Sequence, residues 1–261
     1  MVRKGSGTRD EFVQSLERGL SVIQCFGEKS PSMTLSEVAA ATSLTRATAR
    51  RFLLTLERMG HVASDGKRFW LTPHVLTLGY AYLSSLPWWH VAEVPMADVM
   101  HKLGETCAAA ALDDTEIIYL ARVPATRIMS VNLSVGSRLP AYCTSLGRVL
   151  LAFSSEERQN AYFRRAKFEK LTEKTVVDPA KLRKILNSVR LQGYSIVDQE
   201  IEIGVRAIAV PVFDRAKRTV AALNVGTQAS RVPVSKLVSE FLPVLKEASL
   251  RVTSLLPFEP L

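Results

Sequence analysis

Three carboxylates at alternate positions are the first residues whose spacing could support chemistry. Asp198, Glu200 and Glu202 would share one face of an extended strand, where neighbouring carboxyl groups can act as general acid and base. No activated nucleophile or cofactor motif accompanies them, so little else in the sequence supports catalysis. The same pattern fits a polar strand edge that contacts Arg206, or part of a small-molecule pocket.

Motifs for metals and cofactors are not evident in the sequence. No histidine stands at ligand spacing from a cysteine, and there is neither a phosphate-cradling glycine loop nor a nucleophile elbow. The cysteines are far apart and odd in number, which favours reduced thiols and predicts a cytoplasmic protein. We therefore predict no metal site and no cofactor. The residues concerned are His61, His74, His90, His101, Cys25, Cys107 and Cys143.

A basic helix face is the second candidate site. Arg46 and Arg50 are four residues apart, which places them on one outer face of a helix beside several hydroxyl side chains. No acidic residue occurs between Glu37 and Glu57. Such a helix suits contact with phosphates and with base edges in the major groove of DNA. An ordinary solvated basic face is the alternative interpretation.

The elements around this helix favour a DNA-reading module. Thr34 and Glu37 have the spacing of a capping box, and Thr45 would cap a second helix after a short turn. Asp65-Gly66 then predicts a hairpin that would form a wing. This order predicts a winged helix-turn-helix. Its candidate DNA-binding residues are Thr34, Ser43, Thr45, Arg46, Thr48, Arg50, Arg51, Lys67 and Arg68.

A helix start in the C-terminal half is the third candidate site. Thr144 and Ser145 precede a helix predicted over residues 147–153. Free backbone N–H groups and hydroxyls at a helix start bind a carboxylate well, so a small organic acid is the expected ligand. The alternative is that Thr144 is only a helix cap.

Composition allows two domains of ordinary size. The 261 residues are 47% hydrophobic and carry a net charge of +9, which suits nucleic acid without proving it. No segment is apolar enough to predict a membrane span. The pattern predicts an α+β fold, with a disordered arm (1–11), a winged helix-turn-helix domain (12–72), linker or dimerisation helices (73–106) and an α/β effector-binding domain (107–261). Trp88 and Trp89 fit either an interface or a core.

Two long blocks of sequence resemble a known family. Residues 140–152, PAYCTSLGRVLLA, and residues 193–214, GYSIVDQEIEIGVRAIAVPVFD, resemble the signatures of the IclR family of transcription regulators. Residues 15–20 and 50–56 fit the same family, so the resemblance extends over nearly the whole chain from residue 12. Residues 122–124, 127–132 and 135–142 are similar to its PcaR/PcaU/PobR subgroup, which controls aromatic-acid breakdown through the β-ketoadipate pathway.

The resemblance implies a fold, partners and an effector site. It implies a winged helix-turn-helix, a linker helix and a GAF-like effector domain, in a homodimer or dimer of dimers that binds double-stranded operator DNA. Ala207 stands where many members have Cys, and Asn224 and Gly226 where a keto-acid sensor has serines, which implies a different acid. Whether this is an aromatic acid or β-ketoadipate stays open. With Thr144, the expected effector-binding residues are Ser145, Leu146, Asp198, Ala207, Asn224 and Gly226.

The leading hypothesis is a DNA-binding transcription regulator that is controlled by a small organic acid, with an aromatic acid as the expected kind, and that governs aromatic-acid catabolism. An alternative is an enzyme that acts on a small acid in the C-terminal pocket and carries an accessory DNA-binding head. Its only support is the Asp198, Glu200 and Glu202 set. A plain oligomeric scaffold is a third interpretation, and it predicts no protection of DNA.

Overall fold

The computed structural model describes residues 12–125 and 133–256. The chain divides between Tyr82 and Leu83 into two compact units. Within the described residues, no helix has both the length and the apolar character needed to cross a membrane. The predicted arm at 1–11 and a strand expected at 128–131 lie outside the described residues.

The N-terminal unit has the predicted order of elements. Its helices and strands are α1 (Gln14–Gln24), β1 (Met33–Thr34), α2 (Leu35–Ala41), α3 (Arg46–Arg58), β2 (Val62–Ser64) and β3 (Arg68–Leu71), followed by a 3-10 turn (Pro73–Val75) and α4 (Leu76–Ser84). The strands form an antiparallel sheet in the order β1-β3-β2. This arrangement confirms the winged helix-turn-helix.

Local signals explain these boundaries. Thr34 and Glu37 form the capping box, because the Thr34 amide donates to Glu37 and the Glu37 amide donates to the Thr34 hydroxyl. Thr45 caps α3 by accepting from the Thr48 amide at 3.2 Å. At the wing tip, Asp65 Oδ1 accepts from the amides of Lys67 and Arg68. These bonds hold the pKa of Asp65 below its usual range.

The apolar row that helical spacing predicts over residues 12–26 is only partly buried in this unit. Phe12, Leu16 and Leu20 are exposed, whereas Phe26 is buried and Ile23 packs against the same core. On α3 the core positions are as the spacing predicts, with Ala49, Leu53 and Leu56 buried.

The C-terminal unit is a sheet between two layers of helices. Its elements are α5 (Pro87–Leu103), β4 (Thr106–Asp113), β5 (Glu116–Val123), β6 (Arg138–Pro140), a 3-10 turn (Ala141–Cys143), α6 (Ser145–Ala152), α7 (Glu156–Arg165), α8 (Pro179–Gln192), β7 (Ser195–Asp198), β8 (Val205–Phe213), β9 (Thr219–Gln228), α9 (Val234–Lys236), a π turn (Leu237–Phe241) and α10 (Leu242–Leu255). The described strands form an antiparallel sheet in the order β6-β5-β4-β9-β8-β7.

Successive side chains of β4 point to opposite faces of the sheet and therefore belong to two different hydrophobic cores. Cys107 and Ala109 face α5 and α10, whereas Ala108 and Ala110 face α6 and α8. The small alanine side chains on the second face leave space between the sheet and α6. The antiparallel sheets and the helices of the two units confirm the α+β fold class predicted for the chain.

Helical spacing predicts an apolar face of α5 formed by Val91, Val94, Met100 and Leu103. Val91 and Leu103 do pack against the core, but Val94 is 63% exposed. Ala92, Met96 and Val99 are the residues of α5 most deeply buried against the sheet. Trp88 is also buried in this core, which decides between the two interpretations of that residue. The predicted linker at 73–106 therefore contributes α5 to the C-terminal unit, and its role as a linker stays a prediction.

Candidate functional site

A basic groove lies between α3 and the wing of the N-terminal unit. Arg46, Arg50 and Lys67 line it together with Thr34 and the acidic Glu57. Both arginines are exposed, and neither forms an ion pair with a described residue. The groove therefore offers unpaired cations and a hydroxyl on one surface, which suits a phosphate backbone.

The other candidate DNA-binding residues lie outside the lining of this groove. Thr45 and Thr48 share a hydrogen bond between their hydroxyls at the start of α3. Ser43 is exposed in the turn with a positive φ of 55°, and Arg51 is exposed on α3. Arg68 is held within the domain by Ser32, to whose carbonyl it donates at 2.6 Å. Contact of these residues with DNA stays a prediction.

A cavity lies in the C-terminal unit between the sheet and the start of α6. About 720 Å³ of empty space lies in it, a volume that includes open solvent at its mouth. The walls are mostly apolar, with few polar groups. The lining residues are Thr106, Ala108, Tyr119, Arg122, Leu133, Leu139, Cys143, Thr144, Ser145, Val197, Ile201, Val205, Ala207, Asn224 and Gly226.

The start of α6 forms one wall of the cavity. Thr144 accepts from the Gly147 amide at 3.0 Å, so it is the cap that the sequence predicts and also lines the cavity. Gly147 fits tightly, because a Cβ there would overlap the Ala141 carbonyl and lie 2.6 Å from Thr144 Oγ1. Ser145 is 2% exposed, and its hydroxyl has no hydrogen-bond partner among the described residues.

Strand pairing aligns three residues of the cavity across the sheet. Ala108 pairs with Arg122 on one side and with Asn224 on the other. Asn224 is 7% exposed, and its Oδ1 has no hydrogen-bond partner within the described part of the chain. A buried polar atom without a partner costs free energy unless a ligand or water satisfies it.

Five of the seven predicted effector residues line the cavity. Thr144, Ser145 and Ala207 do so with Asn224 and Gly226. Leu146 instead packs in the core beneath α6. Asp198 accepts from Arg206 at 2.8 Å, which holds the pKa of Asp198 below its usual range. A direct effector contact by Leu146 or Asp198 stays a prediction that the cavity does not support.

The three alternate carboxylates do not form an acid–base set. Strand β7 ends at Asp198, and Gln199 has a positive φ of 61°, so the alternation stops there. Glu200 turns inward and forms a bidentate pair with Arg148, at 2.6 and 2.7 Å. Asp198 is engaged by Arg206 instead. The feature that motivated the enzyme alternative is therefore a pair of separate structural contacts.

Burial suppresses the acidity of the groups beside the cavity. It raises the pKa of Cys143 and of Tyr119 to about 12 each. Cys143 is therefore a neutral thiol near neutral pH and a poor nucleophile. Within residues 12–125 and 133–256, no group of His, Cys, Asp and Glu side chains has the arrangement of a metal site.

The sequence did not predict most of the apolar residues that line the cavity, and it did not predict the cation Arg122 among them. Arg122 is the notable omission, because it interrupts the otherwise apolar segment 117–123 of β5. A charged residue inside a buried strand was the available signal. Its place beside Asn224 depends on the pairing of three strands that are distant in sequence.

Comparison with known families assigns both units. Residues 15–66 match the IclR helix-turn-helix domain, and residues 80–254 match the bacterial transcriptional regulator IclR C-terminal domain. The chain belongs to the IclR family. This confirms the predicted family and its GAF-like C-terminal fold. IclR-family proteins are DNA-binding transcription regulators and not enzymes.

Individual IclR-family relatives cover nearly the whole chain. The Pca regulon regulatory protein of Pseudomonas putida is 44% identical over 240 residues, which is 92% of this chain and 82% of the relative. A structure from Rhodococcus sp. RHA1, described as a candidate transcriptional regulator, has 45% identity and a TM-score of 0.84, covering 94% of this chain and 98% of that one.

A further structural match is to an isolated domain of a relative. The inducer-binding domain of a PobR double mutant from Acinetobacter was solved in complex with 3-hydroxybenzoic acid. It is 31% identical with a TM-score of 0.60, and the match covers 64% of this chain and 97% of that domain. The matched unit is the one that contains the cavity.

Proposed function

We propose that this IclR-family regulator binds operator DNA through the basic groove and is controlled by an aromatic acid, or a related acid of the same catabolism, in the cavity. The observation that carries the proposal is the cavity itself. It places unpartnered buried polar atoms of Ser145 and Asn224, with the Arg122 cation, among apolar walls. An acid with an apolar body supplies what each of these groups lacks.

The relatives support the class of effector. The relative with 44% identity regulates the Pca regulon, and the matched PobR domain holds a hydroxybenzoic acid. The cavity of this chain has mostly apolar walls that suit an aromatic ring or a short carbon chain. Control then requires that the acid bind one arrangement of the regulator more tightly than another.

The groove supports the DNA-binding role. Arg46, Arg50 and Lys67 present their charges on one surface without described ion-pair partners. Removing two of these cations removes phosphate contacts. Each such contact adds about 0.9 to the slope with which the logarithm of the DNA-binding constant falls against the logarithm of the salt concentration. Other DNA contacts proposed for the domain are those of the remaining candidate residues in the turn before α3, on α3 and on the wing, which are Ser43, Thr45, Thr48, Arg51 and Arg68.

A homo-oligomer in the cytoplasm completes the proposal. Leu16 of α1 and Leu76 and Tyr80 of α4 are more than half exposed, which favours a covering partner. A second copy of the chain is the simplest such partner, because paired DNA-reading units match a two-fold operator. A dimer or a dimer of dimers satisfies this requirement.

The test combines a promoter retardation assay with ligand binding. The variant Arg46→Ala/Arg50→Ala should lose most promoter binding, while its acid-dependent rise in melting temperature stays that of the wild type. Arg58→Ala is the control, since Arg58 is exposed on α3 but does not line the groove. Unchanged retardation by the double variant would reject the groove as the DNA site.

The same samples identify the acid. Protocatechuate, 4-hydroxybenzoate and β-ketoadipate are added separately, and a ligand of the native state raises the melting temperature by mass action. A productive acid must also change retardation of the promoter. If none of these acids binds, the proposed effector class is wrong, whatever the DNA result.

A further inference from the structure

Arg122 differs in its contacts from the other buried or half-buried arginines of the C-terminal unit. It is half-buried on β5 and lines the cavity. Arg148 forms an ion pair with Glu200, and Arg206 forms one with Asp198. Arg122, by contrast, has no ion pair with any residue in 12–125 or 133–256. Its charge is therefore available to a molecule in the cavity.

The sheet register fixes where this charge lies relative to the unpartnered amide. Arg122 and Asn224 flank Ala108 on adjacent strands, so their backbones are two strand spacings apart, about 10 Å. The Ala108 methyl group between them leaves the space above the central strand open. The cavity thus has a cation on one side and a polar amide on the other, across an apolar floor.

The amide side contains a second polar group. Ser145 at the start of α6 lines the same cavity, and its hydroxyl, like Asn224 Oδ1, is buried without a partner among the described residues. A hydroxyl both donates and accepts, and an asparagine amide offers an acceptor and a donor. A phenolic hydroxyl can donate to Asn224 Oδ1 while it accepts from the Ser145 hydroxyl. A carboxylate only accepts, so it would bind the Ser145 hydroxyl and, with the amide turned over, Asn224 Nδ2.

We propose that Arg122 binds the carboxylate of the effector, and that Ser145 and Asn224 bind a second oxygen-bearing group at its far end. The cavity therefore selects two-ended acids with an apolar middle. Hydroxylated aromatic acids and linear dicarboxylates share this chemistry, whereas a simple monoacid such as benzoate lacks the second group. This inference rests on the proposed function of the cavity and assigns the residues that would set its specificity.

The physical reason for selection is the cost of unsatisfied groups. A guanidinium pairs with a carboxylate through parallel charge-assisted hydrogen bonds, which are stronger than neutral ones. A ligand without the far group leaves Ser145 and Asn224 buried and unpaired, and sites of this kind reject such analogues strongly. The opposite orientation, with the carboxylate at the start of α6, leaves Arg122 unused.

The experiment measures dissociation constants by calorimetry on the full chain. The ligands are 4-hydroxybenzoate, protocatechuate, β-ketoadipate, benzoate and the uncharged 4-hydroxybenzamide, against wild type, Arg122→Gln, Arg122→Lys and Arg190→Gln. Arg190 is an exposed arginine of α8 outside the cavity and is the matched control. Melting curves without ligand check that each variant is folded.

Arg122→Gln should weaken binding of the tightest acid by at least about tenfold, while 4-hydroxybenzamide changes little. Arg122→Lys should retain part of the affinity, and Arg190→Gln all of it. Equal losses for the acid and the amide, or no loss for the acid, would overturn the role of Arg122. The ligand series also distinguishes hydroxylated aromatic acids from linear dicarboxylates, because the kind that the cavity prefers has the lower dissociation constant.

Asn224→Ala tests the far end. It should reduce the preference for 4-hydroxybenzoate over benzoate, or abolish tight binding of β-ketoadipate, whichever acid the wild type prefers. Wild-type protein that binds benzoate as tightly as the two-ended acids contradicts the inference even without variants. Failure of the wild type to bind any acid would instead count against the proposed function.

Discussion

Gly147 occupies a position of α6 that has no room for a side chain. A Cβ would overlap the Ala141 carbonyl oxygen, and the nearby Thr144 hydroxyl already accepts from the Gly147 amide. Because the nearest atom belongs to the backbone, it cannot move aside as a flexible side chain would. The start of α6 therefore approaches the preceding turn closely, and this approach shapes one wall of the cavity.

Gly147→Ala should destabilise the C-terminal unit by about 1–3 kcal/mol or more, because it overpacks a buried backbone contact. Thermal and urea unfolding measure the loss, and acid binding should weaken with it. Gly79→Ala is the matched control, since Gly79 lies in helix α4 with open space around it. The control should be neutral or stabilising by up to about 1 kcal/mol. Similar effects of both changes would contradict the close approach.

The cysteines should differ in reactivity according to their burial. Burial raises the pKa of Cys107 and Cys143 to about 12, so their thiolate fractions at pH 8 are very small. Cys25 is half-buried, and desolvation raises its pKa as well. A colorimetric thiol reagent should therefore modify native protein slowly, with Cys25 first, and all three thiols rapidly in urea. Fast modification of Cys107 in the native state is the contrary outcome.

At the scale of elements, one ion pair joins helix α6 to two loops. Arg148 on α6 donates to both carboxylate oxygens of Glu200, and the Val176 amide donates to Glu200 Oε2 at 3.0 Å. The Glu200 carbonyl also accepts from the Thr175 hydroxyl. Glu200 thus fixes the loop that follows β7, and this loop supplies Ile201 to the cavity wall.

Glu200→Gln should destabilise the C-terminal unit by about 3–5 kcal/mol, because it leaves the Arg148 charge buried without its partner. Urea unfolding measures the difference. Glu116→Gln breaks a more exposed pair with Arg138 and should cost no more than about 1 kcal/mol. If the two variants have equal stability, burial does not govern the strength of the Arg148–Glu200 pair.

The whole molecule consists of two units that have separate cores. The division between Tyr82 and Leu83 leaves α5 with the sheet of the C-terminal unit, to which it contributes Trp88 and Met96. Among the described residues, those that line the cavity all belong to this unit, and those that line the basic groove all belong to the other. Each unit therefore contains the residues for one half of the proposed function.

A fragment of residues 83–261 should fold and bind the acid with the affinity of the full chain, and it should not retard promoter DNA. Its core and cavity are complete within the fragment, because the lining begins at Thr106. Circular dichroism and calorimetry provide the measurements. A fragment that unfolds, or that binds the acid much more weakly, would show that the N-terminal unit contributes to the effector site.

The sequence by itself determined the features that depend on near neighbours. The capping box of Thr34 and Glu37, the Thr45 cap and the wing turn at Asp65 were all predictable, because each is formed by residues within a few positions. The two blocks at 140–152 and 193–214 indicated the family, and five expected effector residues do line the cavity. Local hydrogen bonding and short-range periodicity carry this information.

Only the tertiary structure decided what distant segments form together. Arg122 reaches the cavity because β5, β4 and β9 pair in one register, and a chain pattern does not specify which strands become neighbours. Glu200 is a buried partner of Arg148 instead of a member of a carboxylate set, because the strand ends at Asp198. Val94 of helix α5 faces outward although helical spacing predicts a buried position, since the packing of α5 against the sheet buries Met96 and Val99. Long-range packing selects among patterns that are locally equivalent, and it created the cavity here.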